Sequence, residues 1–137
     1  IRKGFFERSE LSAEQLQLEK DYRTILNICN SEKAVSEGKT SDLMYANEAN
    51  EGFDSNRLFA FLRSFDNTTL LVVANFGEAD VHVRVNIPAH AFDHMELTEG
   101  KKDMVDLLSG DQQTAILQQD SPVEMVVAGL SGRIYKF

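Results

Sequence analysis

The spacing of hydrophobic and polar positions changes once along the chain, near Gly38. Before it, Leu18, Tyr22, Ile25, Leu26 and Cys29 recur at three- and four-residue intervals, while Glu14, Glu19, Lys20 and Arg23 fall mostly elsewhere. That spacing predicts an amphipathic helix within residues 11–34, with one apolar face. Ser12, followed three residues later by Gln15, supplies a capping box, and Leu11 and Leu16 flank it as a hydrophobic staple. Asn30 and Ser31 read as a stop and a new cap, with a helical turn through Val35 and Gly38 as punctuation.

Beyond Gly38 the period falls to that of strands, in short runs separated by turn residues. Strands are expected at 42–46, 57–65, 69–75, 81–87, 104–107, 114–117, 123–128 and 133–137, and every later element reads as strand. In "VHVRVNI" Val81, Val83, Val85 and Ile87 point one way and His82, Arg84 and Asn86 the other, so this strand has a wet side. "LLVVA" is apolar throughout, which marks a strand covered on both sides, the second cover coming from the helix or what it belongs to. "ANEANEGFDSN" reads as a polar connecting loop. With no βαβ alternation, the expected fold is mainly β: an antiparallel Greek-key β-sandwich of about eight strands behind an N-terminal amphipathic α-helix. The chain divides into an N-terminal segment, 1–38, and a sandwich, 39–137.

Composition narrows the partners. A chain of 137 residues with 42% hydrophobic and 26% charged residues holds about one core, and no apolar run approaches the ~20 residues a bilayer span needs. No membrane partner is expected, and "IRKGFFERSELS" lacks the apolar core of a signal peptide. With a net charge of −8 and 14 scattered Lys and Arg, no basic stripe exists to neutralise phosphates, so nucleic acid is not expected either. The single cysteine, Cys29, reads as a buried, inert thiol. Asn67-Thr68-Thr69 is formally a glycosylation acceptor, but Asp66-Asn67 between two apolar runs reads first as a turn.

Chemistry is sparse. Asp54, Asp66, Asp80, Asp93, Asp103, Asp106, Asp111 and Asp120 fall in expected turns or strand ends and read as solvated turn acids rather than as a paired-carboxylate site. His90 and His94, four apart around Asp93, would align on a helix, but the segment reads as a short connecting loop with no third ligand, so no metal is expected. No phosphate loop or nucleophile elbow is present, and neither catalytic residues nor a cofactor are expected. Trp is absent, and most Phe residues read as core, which disfavours a dedicated sugar platform; an exposed Tyr45 would be the feature to reopen that reading.

Taken together, "DYRTILNICNSEKAVSEG", "RLFAFLRSFDNTTLLVVANFG" and "PVEMVVAGLSGRIYKF" resemble the C-terminal end of an alpha-amylase family glycoside hydrolase, over about residues 16–137. The helical pattern is matched by Tyr22, Arg23, Leu26, Asn27, Asn30, Ala34 and Gly38, although "NICN" departs from the Leu-Arg of many members. The strands are matched by Ala60, Phe61 and Arg63, then by Leu71, Val72, Val73, Asn75 and Phe76. The resemblance implies a catalytic barrel N-terminal to Ile1, with its carboxylates there and none carried onto this chain.

Two roles follow as expectations. The first is a non-catalytic accessory domain of an enzyme acting on alpha-glucans (starch, maltooligosaccharides), with the barrel of the same polypeptide as its partner, met through Leu18, Tyr22, Ile25, Leu26 and Cys29. The second is a stand-alone carbohydrate-binding β-sandwich module with an alpha-glucan as ligand. In the isolated chain the helix is expected either to lie on its own sandwich or to pair with a second copy as a homodimer.

Overall fold

The computed structural model describes residues 7–119 and 121–137; the expectations touching residues 1–6 and Asp120 lie outside the described residues. After a 3-10 turn at Arg8–Glu10, helix α1 spans Ala13–Ser31. Its capping box forms as expected: the Ser12 hydroxyl accepts from the Gln15 N–H at 3.2 Å and the Gln15 side chain accepts from the Ser12 N–H at 2.9 Å. Glu32 ends α1 and begins the one-turn helix α2, Lys33–Ser36.

Eight strands follow: β1 Lys39–Asp42, β2 Leu58–Phe65, β3 Thr68–Asn75, β4 Val81–Val85, β5 Gly100–Asp106, β6 Gln112–Leu117, β7 Val123–Val127 and β8 Ser131–Lys136. They form a six-stranded sheet in the order β1-β2-β3-β8-β5-β6 and a two-stranded sheet of β4 and β7, with antiparallel pairing throughout. The expected mainly β, antiparallel sandwich is the observed one. One core lies between the sheets, with Leu62, Leu71 and Val73 from the large sheet and Val83, Val85, Met125 and Val127 from the small one. His82 and Arg84 alternate outward, giving β4 the wet side its sequence requires.

Two parts of the chain depart from the strand reading. Residues 42–46 do not continue as a strand: the Asp42 carboxylate accepts from the Met44 N–H at 2.8 Å and turns the chain into helix α3, Met44–Asn47. Asn47 and Phe53, inside the expected polar loop, are buried. Asn47 donates to the carbonyls of Leu43 and Asn86 at 2.8 and 3.0 Å and accepts from Asn50 and the Asn86 N–H at 2.9 and 2.8 Å, so its amide is satisfied inside the protein. The second departure is helix α4, Ala89–Met95, where a loop was expected. Ala91, Phe92 and Met95 bury one face of it, an i, i+1, i+4 pattern too short to stand out as a helical period.

Among the described residues, Ile28, Ala34 and Leu70 are the buried apolar residues that stand outside the main core. Leu70 and Leu71 are both fully buried although they alternate across the sheet, so β3 is covered on both sides at that end. Its second cover is α2, packed against β2 and β3.

Candidate docking face

Arg63 anchors the helical corner to the large sheet. Its Nε donates to the Ala34 carbonyl at 2.9 Å, and its two terminal nitrogens donate to the Val35 carbonyl and the Thr40 hydroxyl. Carbonyls at the end of a helix lack intrahelical donors, and a guanidinium can satisfy several at once. Glu32 adds an ion pair with Lys136 of β8, at 2.9 and 3.0 Å, and the Lys33 ammonium stands 5.6 Å from the Phe65 ring centroid. Gly38 must be glycine: a Cβ there would lie 2.3 Å from the Ala34 carbonyl oxygen and 2.6 Å from that of Ser64.

From this fixed corner, α1 exposes the face expected from the sequence. Leu18, Tyr22, Ile25 and Leu26 share it and are 43–61% exposed, whereas Cys29 is half-buried rather than fully buried. Ile28 is the one buried residue of the helix, and its burial under the α1–α2 corner is not marked by the apolar stripe. The face is not laid on the protein's own sandwich, which corrects that arm of the expectation. Between two turns of it, Tyr22 and Leu26 line a shallow open groove with Glu19, Arg23, Asn27 and Asn30.

The same corner sits at one end of a second apolar surface, on the outer side of the large sheet. Strand register places Phe61, Val72 and Ile134 in one row across β2, β3 and β8, and Phe59, Ala74 and Gly132 in the next. Beyond them the Phe76 N–H donates to the Arg57 carbonyl and the Leu130 N–H to that of Gly77, both at 2.8 Å, extending the rows to Phe76 and Leu130. These two side chains are 70% and 72% exposed. Phe59 is exposed as well, so the reading of most phenylalanines as core is corrected here: among the described residues, Phe53 and Phe92 are the fully buried ones. Leu130 holds φ +51°, a left-handed conformation disfavoured for a leucine.

The candidate chemical groups do not converge on this face, and of the acids Asp106 and Asp111 meet on one nitrogen of Arg133, at 2.9 and 3.1 Å. His90 and His94 lie on α4, and His90 meets the Tyr45 hydroxyl. No group of three metal-ligating side chains occurs among the described residues. Asp54, Asp66, Asp80, Asp93, Asp103 and Asp111 are exposed, as expected of turn acids. Asp106 is not: it is 1% exposed. One of its oxygens accepts from the N–H groups of Leu108 and Ile134 at 3.2 and 3.0 Å, the other from Ser109 and Arg133 at 2.8 and 2.9 Å. Burial acts to raise its pKa, but these four donors outweigh it and hold the carboxyl below its ordinary value. Asp106 thus ties the β5–β6 turn to β8.

No helix among the described residues is long and apolar enough to cross a membrane. No protein-family model and no curated protein matches the sequence. Solved structures do share the fold. AmyP in complex with maltose aligns over 93% of this chain with a TM-score of 0.67 at 13% identity. A maltogenic alpha-amylase, AmyB from Thermotoga neapolitana, aligns over 93% with a TM-score of 0.66 at 14% identity. The alpha-amylase of Geobacillus thermoleovorans, complexed with acarbose, aligns over 96% with a TM-score of 0.64 at 14% identity. The aligned parts are 22%, 27% and 24% of those chains. The chain has the fold of one part of alpha-amylase family enzymes and spans about a quarter of their length.

Proposed function

We propose that this chain is a non-catalytic accessory domain of a glycoside hydrolase acting on alpha-glucans, and that it steadies the catalytic barrel of the same polypeptide. The observation that carries the reading is the outer face of the large sheet: Phe59, Phe61, Val72, Ile134, Phe76 and Leu130 form a continuous apolar surface on a fold that elsewhere occurs as a quarter of an alpha-amylase. Surfaces of that kind mark contact with another protein surface. The α1 stripe adds a second apolar contact beside it, and the Arg63 and Glu32 anchors hold the two in a fixed relation. Burial of each large apolar side chain would contribute about 1.5–3 kcal/mol toward docking.

Two measurements test the reading. The 137-residue chain should release no reducing sugar from starch or maltoheptaose, and hydrolysis by the purified chain would overturn it. The coding sequence upstream of Ile1 should specify a barrel with catalytic carboxylates; an unrelated neighbour would remove the assignment.

A further inference from the structure

We infer that Phe76 and Leu130 are the anchor of the docking face, and that the surface they insert into is an apolar socket rimmed by lysine or arginine side chains. That the socket belongs to the barrel of the same polypeptide rests on the reading above; the anchor itself rests on the structure of the corners between β3 and β4 and between β7 and β8.

The local structure gives Leu130 no reason to be leucine. It holds φ +51°, where a residue with a branched side chain is disfavoured and glycine or asparagine is tolerated. Its side chain is 72% exposed, so burial does not offset that cost. Phe76, 70% exposed, stands across the same corner. A residue that is both strained and solvated breaks two local rules at once, and such breaks mark places where a protein does its work. The backbone beneath is fixed: the Leu130 N–H donates to the Gly77 carbonyl and the Phe76 N–H to that of Arg57, both at 2.8 Å. Gly129 packs so closely that an added Cβ would stand 2.0 Å from the Glu78 carbonyl oxygen. Both side chains are thus presented on a rigid corner, and their insertion orders little further main chain.

The strand edges favour docking through side chains over strand addition. The outer edge of β4 is taken by the segment before β2: the Arg84 N–H donates to the Gly52 carbonyl at 3.0 Å, and the Asn50 side chain donates to the Arg84 carbonyl at 2.6 Å. Helix α4 packs against β1. On the far side, the Gln113 side chain of β6 donates to the Glu124 carbonyl of β7 at 2.6 Å. With these edges occupied, the domain offers a partner exposed apolar groups rather than an open ladder.

Charge selects the occupant. Glu78 and Asp80, both exposed, follow Phe76, and the Asp80 carboxylate accepts from the Gly129 N–H at 3.0 Å, next to Leu130. Arg57, whose carbonyl Phe76 meets, is paired with Asp54 at 3.8 Å. The excess of acid follows the chain as a whole, with its net charge of −8. A second copy docked symmetrically would set these acids against their own counterparts, and nucleic acid or an anionic membrane would meet the same repulsion. A protein surface that is apolar at its centre and basic at its rim fits both the anchor and its surroundings.

The test is hydroxyl-radical footprinting, read by mass spectrometry, of the 137-residue chain and of the full polypeptide proposed above. Phe76 and Leu130 should be oxidised in the short chain and shielded several-fold in the full one, while Tyr45, 53% exposed on α3, should be labelled equally in both. Leu130→Asn should raise the melting temperature of the short chain by about 3 °C, because asparagine tolerates the left-handed conformation. In the full polypeptide the same substitution should lower the unfolding temperature of this domain. Glu78→Lys should leave the short chain as stable as before and destabilise the domain in the full polypeptide, where it would face the basic rim. A fall in the short chain's melting temperature on Leu130→Asn would show that the leucine serves the domain's own fold and would overturn the anchor. Equal labelling of Phe76 and Leu130 in both chains, with Phe59 shielded in the full one, would also overturn the anchor and leave the docking face standing. Shielding by a preceding domain that is not a barrel would keep the anchor and overturn the reading above. Shielding that grows with concentration of the short chain alone would identify a second copy and overturn the basic socket.

Discussion

The side-chain amide of Asn75, at the end of β3 in the large sheet, donates to the main-chain carbonyl of Val127, at the end of β7 in the small one, at 3.3 Å. It also reaches the carbonyls of Ala79 and Ala128 at 2.9 and 3.1 Å, and its oxygen accepts from the Gly77 N–H at 2.9 Å. This asparagine is 2% exposed and joins the two sheets at the corner where the chain crosses between them. Asn75→Ala leaves several main-chain groups without partners in a buried setting. A loss of about 2–3 kcal/mol follows, read as a fall in the urea midpoint; a change below about 0.5 kcal/mol would show that the corner holds without it.

Asp106 predicts a pH dependence. Its folded-state pKa lies below the ordinary value, so its contribution to stability is fully present above about pH 4. That contribution is lost as pH falls through the lowered folded value. Asp106→Asn should cost about 2 kcal/mol at neutral pH, and the gap between variant and wild type should narrow as pH is lowered below about 4. Parallel stability curves from pH 7 to about pH 2 would contradict the assignment.

Gly38→Ala tests a close approach rather than a turn, because the new methyl meets two main-chain oxygens that cannot move independently. Overpacking against backbone predicts destabilisation of at least about 2 kcal/mol. Gly110→Ala is a poor control because its φ of +81° is itself strained. A better one is Ala49→Gly, at an exposed position, which should change stability much less.

The stripe on α1 predicts self-association when no barrel is present. Light scattering should show the mass of the chain rising with concentration, and Ile25→Glu should suppress that rise while shifting stability by less than about 0.5 kcal/mol. A strictly monomeric wild type would remove the homodimer expectation and leave the barrel as the remaining partner for this face.

Periodicity alone placed α1 with its capping box, because a helix start depends on side chains three residues apart. It also placed six of the eight strands within about two residues of their observed bounds, since alternation is a local property of each run, and found only the last three residues of β5. β1 was displaced, and α3 and α4 were invisible for one reason: each is a single turn or two, stabilised by burial of Asn47 or of Phe92 against distant strands rather than by its own sequence. The stripe of Leu18, Tyr22, Ile25 and Leu26 was legible because it is one helix face. The outer sheet face was not, since Phe59, Ala74 and Gly132 come from three strands and meet only through their register. The roles of Arg63, Asn75 and Asp106 were likewise decided by tertiary structure: each is a polar side chain that any turn or strand edge could carry in solvent, and only burial against partners far along the chain makes it a joint.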